Sequence, residues 1–316
     1  MISKQAIKFN NVIKHTVKPL LSLGYLSPSL MRCVYWLGQY AAVLFPIPSF
    51  VRIMPINNSH TKGEWIDIQG KIPQHKVVYY LHGGGYFFGS PETHRNLTWR
   101  IAKYADVNVF SLRYRMAPKY DIPTSVTDAI EGYKWLLLQG YRGEDIIIGG
   151  DSAGGGLTLL TMQEIKKQRL QTPKAAFCLS PFADMSSEGV SMIDNAHLDP
   201  MFHQKAVRKI AQFHARHYEN PKHPEISPAY SAYDDHPPLM IQVGSTEVLL
   251  ADAECVAKKA EYAGVDVELC KWDNMPHVFS LFAGLFPEGT QGVREITSFI
   301  KRQFSKASAT KIDDAA

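Results

Sequence analysis

The 316-residue chain is poor in cysteine and has no metal-binding spacing. Its four cysteines, Cys33, Cys178, Cys255 and Cys270, lie far apart and form no CxxC pair. This pattern argues against a zinc ribbon or a disulfide framework, and it favours a reducing compartment, which we take to be the cytoplasm. The twelve histidines contain no HExxH motif, so we expect neither a metal nor a cofactor. Three histidines of one predicted helix are interpreted as part of a solvated face: His203, His214 and His217.

The chain also lacks a strong excess of charge. Charged residues make up 20% of the sequence and the formal net charge is only +4, spread along the chain. A surface of this kind does not indicate a nucleic-acid partner. Apolar residues make up 45%, which is enough for a sizeable core in one large domain or two small ones.

No uninterrupted apolar run is long enough to cross a bilayer. The nearest candidate, CVYWLGQYAAVLFPIPSF at residues 33–50, contains Gln39, Pro46 and Pro48 and directly follows Arg32. Because proline breaks helices, we expect a packed or substrate-facing helix here and no integral span. The sequence leaves peripheral contact between this segment and a membrane open. The N-terminus shows no signal-peptide pattern.

From Gly63 onward, short β-rich runs alternate with helical patterns. The runs are EWIDI (64–68), KVVYYL (76–81), VNVFSLRY (107–114), DIIIGG (145–150), KAAFCLS (174–180), PLMIQVG (238–244) and VDVELCKW (265–272). The helical patterns lie near residues 93–105, 124–139, 153–169, 201–217, 248–263 and 290–304. This alternation predicts an α/β fold whose mostly parallel sheet is covered on both faces. In such sheets, functional residues gather beyond the carboxyl ends of the strands.

The strand end at IIIGG carries a candidate nucleophile. Gly150-Asp151-Ser152-Ala153-Gly154 fits the G-x-S-x-G pattern of a nucleophile elbow, in which the serine occupies a strained turn between a strand and a helix. Its glycines give clearance where a side chain would collide with neighbouring backbone. A phosphate-binding loop is the alternative for glycine-rich sequence at a helix start. That loop requires Gly-Lys-Ser/Thr, and no lysine is present here.

The strand end at VVYYL carries a candidate oxyanion hole. It is followed by HGGGYFFGS, residues 82–90, where three successive glycines allow several backbone amides to face one direction. Such amides stabilise the negative charge of a tetrahedral intermediate, and Ala153 N–H would add a further donor. The alternative is a flexible turn. A turn needs only one or two glycines, however, and the aromatic residues that flank this loop indicate packing.

Two later strand ends complete a catalytic triad. Glu247 is the first acid after MIQVG, and His277 lies in the loop after ELCKW. The chain order Ser152, acid, histidine is the order of α/β-hydrolases. Two other acids are open alternatives: Asp252, which could instead complement a helix dipole, and Asp273, which could cap a loop.

With these motifs, the chain resembles the hormone-sensitive-lipase-like bacterial carboxylesterases of the α/β-hydrolase superfamily. The resemblance rests on HGGGYFFGS, SLRYRMAPKYDIPTSVTDAIEGYKWLL, GGDSAGGGL, SPFADMS, ISPAYSAYDDHPPLMIQVGSTEVLLADA and NMPHVFSLF, in family order. It implies an eight-stranded, mostly parallel sheet, and it implies Gly84, Gly85 and Ala153 as oxyanion donors. It also implies a helical cap from residues 1–50 and 183–225 and a catalytic core from residues 51–182 and 226–306. The polar tail at residues 307–316 is expected to be frayed.

Two positions depart from the commonest family pattern. Glu247 stands where most members carry aspartate, and Val278 follows the histidine where glycine is usual. Members named monoterpene ε-lactone hydrolases look similar at both places.

We therefore expect a serine carboxylesterase that acts on short- to medium-chain esters, with lactones as further candidate substrates. The alternatives are an amidase or lipase with the same triad, or a non-catalytic small-molecule receptor. We expect a monomer or a homodimer.

Overall fold

A single mixed sheet of eight strands organises the protein in the computed structural model, which describes residues 2–24, 45–70 and 75–306. The strands are β1 (Val51–Asn57), β2 (Lys62–Ile68), β3 (Val77–Leu81), β4 (Asn108–Leu112), β5 (Ile146–Asp151), β6 (Ala175–Leu179), β7 (Leu239–Gly244) and β8 (Val267–Trp272). Their order across the sheet is β1-β2-β4-β3-β5-β6-β7-β8. The β1–β2 and β2–β4 pairs are antiparallel and all others are parallel. The predicted eight-stranded, mostly parallel sheet is confirmed.

Helices connect the strands and cover both faces of the sheet. Within the described residues they are α1 (Lys4–His15), α2 (Val17–Gly24), α3 (Pro91–Ala105), α4 (Ile122–Leu138), α5 (Ala153–Lys167), α6 (Ser191–Asp194), α7 (Gln204–Ala215), α8 (Leu250–Tyr262) and α9 (Pro287–Ser305). Three short 3₁₀ turns add to these, at Gly143–Asp145, Pro228–Tyr230 and Phe279–Phe282. The predicted helices of the N-terminal segment are described only to residue 24, and the predicted tail lies outside the described residues.

The central strands are buried on both sides, as their continuous apolar sequences predict. Every residue of β3, β5 and β7 is buried. One face of the sheet packs on α4, α5 and α8, and the opposite face packs on α3 and α9. This double cover fixes the strands in register, so that the loops after their carboxyl ends keep fixed positions.

The first strand was not predicted from the sequence. Its segment VRIMPIN contains Pro55, which lacks the amide needed inside a sheet and is tolerated at an edge. Among the described strands, β1 lies at the edge of the sheet and pairs with β2 alone. Its burial alternates irregularly, because one side of an edge strand is open to solvent.

The N-terminal helices join the segment after β6. Lys18 Nζ donates to Asp199 O at 2.7 Å and to Ala196 O at 3.3 Å, and α2 contacts α7. In the part of the chain that the structure describes, no helix is both long and apolar enough to span a membrane. Most of the apolar segment at residues 33–50 lies outside the described residues.

Candidate active site

Ser152 lies in a strained turn between β5 and α5. Its φ of 52° and ψ of −121° are rare for a residue with a side chain, and α5 begins at the next residue. Hydrogen bonds hold this backbone on both sides. Ser152 N donates to Leu179 O at 2.8 Å, and Ser152 O accepts from Phe182 N at 2.9 Å and from Gly156 N at 3.0 Å. The side chain is therefore presented from a backbone that cannot relax.

The glycines around Ser152 are required by close backbone contacts. A Cβ atom on Gly154 would lie 2.0 Å from Leu81 O, and one on Gly150 would lie 2.4 Å from the same oxygen. A Cβ on Gly156 would lie 2.2 Å from Phe182 O. These atoms belong to the backbone and cannot move aside, so only glycine fits. The clearance inferred from the sequence is present in the structure.

Glu247 and His277 form a buried pair after β7 and β8. His277 Nδ1 lies 2.7 Å from Glu247 Oε2, and both residues are buried. The second carboxylate oxygen of Glu247 accepts from Gly244 N at 2.6 Å and from Ser180 Oγ at 2.7 Å. A carboxylate only accepts hydrogen bonds, so Nδ1 carries a proton and donates it to Glu247, and the tautomer that suits this contact has its lone pair on Nε2.

Nε2 of His277 is buried and has no hydrogen-bond partner among the described residues. Ser152 Oγ is therefore not hydrogen-bonded to this nitrogen in the structure. Ser152 directly follows β5, and His277 lies in the loop after β8. Both strands belong to one parallel array whose carboxyl ends are aligned, since Asp151 pairs with Leu179 and Gly244 pairs with Trp272. Ser180 also links the loops, since its Oγ accepts from Val278 N at 3.1 Å. Catalytic hydrogen bonds are often long without substrate and tighten in the complex.

The two alternative acids do not contact His277. Asp252 is buried and accepts from Ala183 N and Asp184 N, each at 2.9 Å, so it caps a neighbouring chain segment. Burial, and then the nearby Asp184 carboxylate, raise the pKa of Asp252 well above its usual range. Asp273 is exposed. Of the three acids considered, Glu247 is the one that the fold brings to the histidine.

The loop that carries Glu247 is held by residues that sequence reasoning missed. Asp199 Oδ2 accepts from Val248 N at 2.9 Å, and Asn195 Nδ2 donates to Glu247 O at 2.7 Å. The ring of Phe202 packs edge-on against His277, with centroids 4.7 Å apart. These three residues belong to the segment between β6 and β7. Because they are far from Glu247 and His277 in the sequence, no local sequence pattern predicts these contacts.

The loop after β3 contains two glycines in the left-handed region of backbone conformation. Gly84 and Gly85 have φ values of +123° and +62°, which favour glycine, and a Cβ on Gly84 would lie 1.9 Å from Phe88 O. Within the described residues, the amides of Gly84, Gly85 and Ala153 donate no hydrogen bond. These three unpaired donors follow the carboxyl ends of the neighbouring strands β3 and β5, where they could bind an oxyanion.

A buried ion pair anchors the start of this loop. Asp151 Oδ1 accepts from Gly83 N at 2.9 Å and from Tyr80 Oη at 2.6 Å, and its Oδ2 lies 3.2 Å from His94 Nε2. Burial alone would raise the pKa of Asp151, but the His94 charge and the hydrogen bonds lower it overall. Burial would likewise lower the pKa of His94, and Asp151 raises it overall. Both directions indicate a charged pair.

The structure corrects the interpretation of the α7 histidines. His217 is exposed, as predicted, whereas His203 is half-buried and caps α7 by accepting from Lys205 N at 3.2 Å. His214 is only 3% exposed, so the prediction of a solvated face was wrong for this residue. It lies seven residues after buried Val207, on the apolar face of the helix.

Among the residues that the structure describes, no three His, Cys, Asp or Glu side chains cluster as metal ligands would. The arrangement consists of a strained serine, a histidine–carboxylate pair and unpaired amides. These are the elements needed for acyl transfer through a covalent intermediate.

The chain is similar in sequence and structure to known esterases. A family model for the alpha/beta hydrolase fold matches residues 78–281. An esterase of Acinetobacter venetianus is 32% identical over 289 residues, which cover 92% of this chain and 93% of that protein. The crystal structure of an esterase from the bacterial hormone-sensitive lipase family superposes with a TM-score of 0.88 at 34% identity, covering 96% of this chain and 99% of that one. The esterase EstE5, soaked with p-nitrophenyl butyrate, gives a TM-score of 0.88 at 32% identity, with 96% and 100% covered.

Proposed function

The chain belongs to the hormone-sensitive-lipase-like esterases of the α/β-hydrolase fold, and we propose that it hydrolyses short- to medium-chain carboxylic esters through an acyl-enzyme on Ser152. Membership in this group makes it a carboxylic ester hydrolase. The serine mechanism, the residue roles and the substrate range are the proposal. Within it, His277 is the general base and Glu247 orients and stabilises it.

Acylation begins when Ser152 Oγ attacks the ester carbonyl carbon and its proton passes to His277 Nε2. The carbonyl oxygen becomes an oxyanion, which the amides of Gly84, Gly85 and Ala153 stabilise. When the tetrahedral intermediate collapses, the bond to the leaving alkoxide breaks. The alkoxide takes the proton from Nε2–H and departs as an alcohol, leaving an ester on Ser152.

Deacylation repeats these steps with water. His277 Nε2 accepts a proton from water as the water oxygen attacks the acyl carbon, and the same nitrogen then returns a proton to Ser152 Oγ. The carboxylic acid leaves and the free enzyme is restored. No cofactor enters the balance, because the water supplies both the hydroxyl group and the proton.

Glu247 stabilises the imidazolium that forms in both half-reactions. Its carboxylate is 2.7 Å from His277 Nδ1 and is itself fixed by Gly244 N and Ser180 Oγ. Glutamate and aspartate have the same charge and similar acidity, so the longer side chain changes reach only. The role expected from aspartate in most relatives therefore remains available.

The observations that carry the proposal are the buried Glu247–His277 pair, whose Nε2 has no hydrogen-bond partner among the described residues, and the strained turn that holds Ser152. A non-catalytic receptor would not need to maintain that strain and that pair.

In the direct test, Ser152→Ala should remain folded and lose p-nitrophenyl butyrate hydrolysis by several orders of magnitude. Ser186→Ala, a serine outside the site, is the matched control. Retained turnover in Ser152→Ala would refute the serine mechanism.

Lactones are a second candidate substrate class. The observation that favours them is the pair of departures at Glu247 and Val278, which resemble the monoterpene ε-lactone hydrolases. Val278 has a φ of 48°, where its β-branched side chain is strained, and its amide is fixed on Ser180. A lactone differs from an open ester only in that its alcohol stays tethered after acylation. Rates on an ε-lactone and on p-nitrophenyl butyrate, with an anilide alongside, would separate the lactonase, esterase and amidase activities.

We also propose that the helical cap consists of residues 1–50 and 183–225 and covers a core made by residues 51–182 and 226–306. The support is that two side chains of the second cap segment reach the site: Phe202 and His214. Among the described residues, Cys178, Cys255 and Cys270 are free thiols, and we propose a reducing compartment such as the cytoplasm.

A further inference from the structure

His214 lies on a cap helix but contacts the candidate oxyanion loop. Its Nε2 is 2.9 Å from the backbone oxygen of Gly85. The residue sits near the end of α7 and is only 3% exposed. Among the described residues, no other side chain hydrogen-bonds to this oxygen.

The proton on the His214 ring can be assigned from this contact. A carbonyl oxygen only accepts, so Nε2 must carry the hydrogen and donate it. Burial lowers the pKa of His214 to about 4, which keeps the ring neutral near pH 7. Nδ1 is then an unprotonated acceptor, and it is buried without a partner among the described residues. Burying an unpaired polar atom costs free energy that an apolar side chain would avoid, so the bond to Gly85 must have value here.

Three peptide groups of the oxyanion loop are each held by a separate hydrogen-bond partner. Gly83 N donates to Asp151, and Gly84 O accepts from the amides of Phe87 and Phe88. Gly85 O accepts from His214, and from no other group among the residues that the structure describes. Glycine has the greatest backbone freedom of all residues, so a loop of three successive glycines needs external restraint to keep its amides aligned.

Helix α7 also packs against the oxyanion loop through apolar and aromatic contacts. A Cβ on Gly85 would lie 3.5 Å from Ile210 Cδ1. The ring of His214 lies 5.3 Å from that of Tyr86 and 4.9 Å from that of Phe87, between centroids. Aromatic packing therefore orients the imidazole, and the imidazole in turn orients the Gly85 carbonyl.

We propose that His214 is a positioning residue of ester hydrolysis. Its Nε2–H holds the peptide group that joins Gly85 to Tyr86, and this fixes the backbone at Gly85 and so keeps the adjoining Gly84 and Gly85 amides directed toward the developing oxyanion. The inference rests on the proposed acyl-enzyme function. It makes the cap part of the catalytic apparatus, because the loop takes its alignment from a cap helix.

The experiment compares His214→Phe with His214→Gln, and uses His217→Phe as the control on an exposed histidine just after the same helix. Phenylalanine keeps the ring but removes the donor, whereas the glutamine amide can still donate from a similar position. With p-nitrophenyl butyrate, His214→Phe should lower kcat by about ten- to hundredfold and leave KM within about twofold. His214→Gln should recover most of the loss. Equal losses in both variants, or an unchanged kcat in His214→Phe, would overturn the proposal.

A boronic acid separates alignment of the amides from general damage to the fold. It forms a tetrahedral adduct on the serine, with one oxygen in the oxyanion position, so its inhibition constant should rise in parallel with the fall in kcat. If His214 only supported the fold, the inhibition constant of the boronic acid would not rise in proportion to the fall in kcat. If Ser152→Ala stays active, the proposed function itself fails. If Ser152→Ala is inactive while His214→Phe binds the boronic acid as wild type does, only the role of His214 fails.

A measurement on the unchanged protein covers the case in which His214→Phe does not fold. Nitrogen-15 spectra of histidine-labelled enzyme, assigned by the signals missing in His214→Gln, should show this ring protonated at Nε2 and bare at Nδ1. A ring protonated at Nδ1 could not donate to Gly85 and would refute the proposal.

Discussion

Replacing Asp151 by asparagine tests whether a buried charge holds the oxyanion loop. The carboxylate accepts from Gly83 N and Tyr80 Oη and pairs with His94, all within the buried core. Asparagine keeps one oxygen for the first two donors but removes the negative charge opposite His94. The variant therefore isolates the ion pair while largely preserving the shape of the site.

The expected cost follows from burial. Breaking a buried ion pair by removing one partner costs about 3–5 kcal/mol, because the other charge is left uncompensated. Asp151→Asn should fall slightly below this range, at about 2–4 kcal/mol, because His94 can lose its proton. For a chain of 316 residues, that corresponds to a decrease in Tm of roughly 3–6 °C. Asp128→Asn is the control, because its partner Arg115 is 48% exposed and surface pairs contribute below about 1 kcal/mol.

The sign of the pH dependence is set by both partners. The raised pKa of His94 stabilises the fold at low pH, and this contribution is lost as pH rises through its folded value. The lowered pKa of Asp151 stabilises the fold above the ordinary aspartate value, and this contribution is lost as pH falls. The pair therefore contributes most between about pH 4 and 6.5, the ordinary values of the two groups.

Thermal unfolding of wild type, Asp151→Asn and Asp128→Asn at pH 5.5 and pH 8.5 measures both effects. We expect the deficit of Asp151→Asn to be larger at pH 5.5. A deficit no larger than that of Asp128→Asn, or one that grows at pH 8.5, would refute the charged-pair interpretation. Because Gly83 starts the oxyanion loop, kcat of Asp151→Asn should also fall in the folded variant.

Further substitutions test the acid and the elbow. Glu247→Gln should lower kcat by about 10⁴, whereas Asp252→Asn should stay within a few-fold of wild type, because that carboxyl only accepts from backbone amides. The reverse order in a p-nitrophenyl butyrate assay would reassign the acid. Gly154→Ala should cost more than about 3 kcal/mol by thermal unfolding, since its Cβ would meet Leu81 O at 2.0 Å. Gly264→Ala, with no atom within 4 Å but a φ of +82°, should cost only about 1 kcal/mol, and equal losses would contradict the steric argument.

Sequence reasoning succeeded where local pattern and chemistry agree. The strand before Ser152 is a continuous apolar run, and the glycines around the serine give clearance for a tight turn. The strand and the turn could therefore both be predicted from the sequence. Strand β1 was missed because Pro55 and an alternating edge pattern conceal a strand that depends on its partner. The Asp151–His94 pair joins residues 57 positions apart, and nothing local in the sequence announces such a contact.

The sequence of α7 contains a helical spacing of apolar residues that predicts the burial of His214. Val207, Ile210, Ala211 and His214 are spaced as one face of a helix, and all four are buried. That spacing could have placed His214 among apolar residues. Its partner, Gly85 O, could not have been found in this way, because the contact spans 129 residues.

The most direct test of the central claim is rapid-quench mass spectrometry of the enzyme mixed with p-nitrophenyl butyrate. Peptide mapping should locate one butyryl group on Ser152, formed at the rate of the p-nitrophenol burst. An acyl group on another residue, or hydrolysis at full rate without any covalent intermediate, would contradict the proposed mechanism.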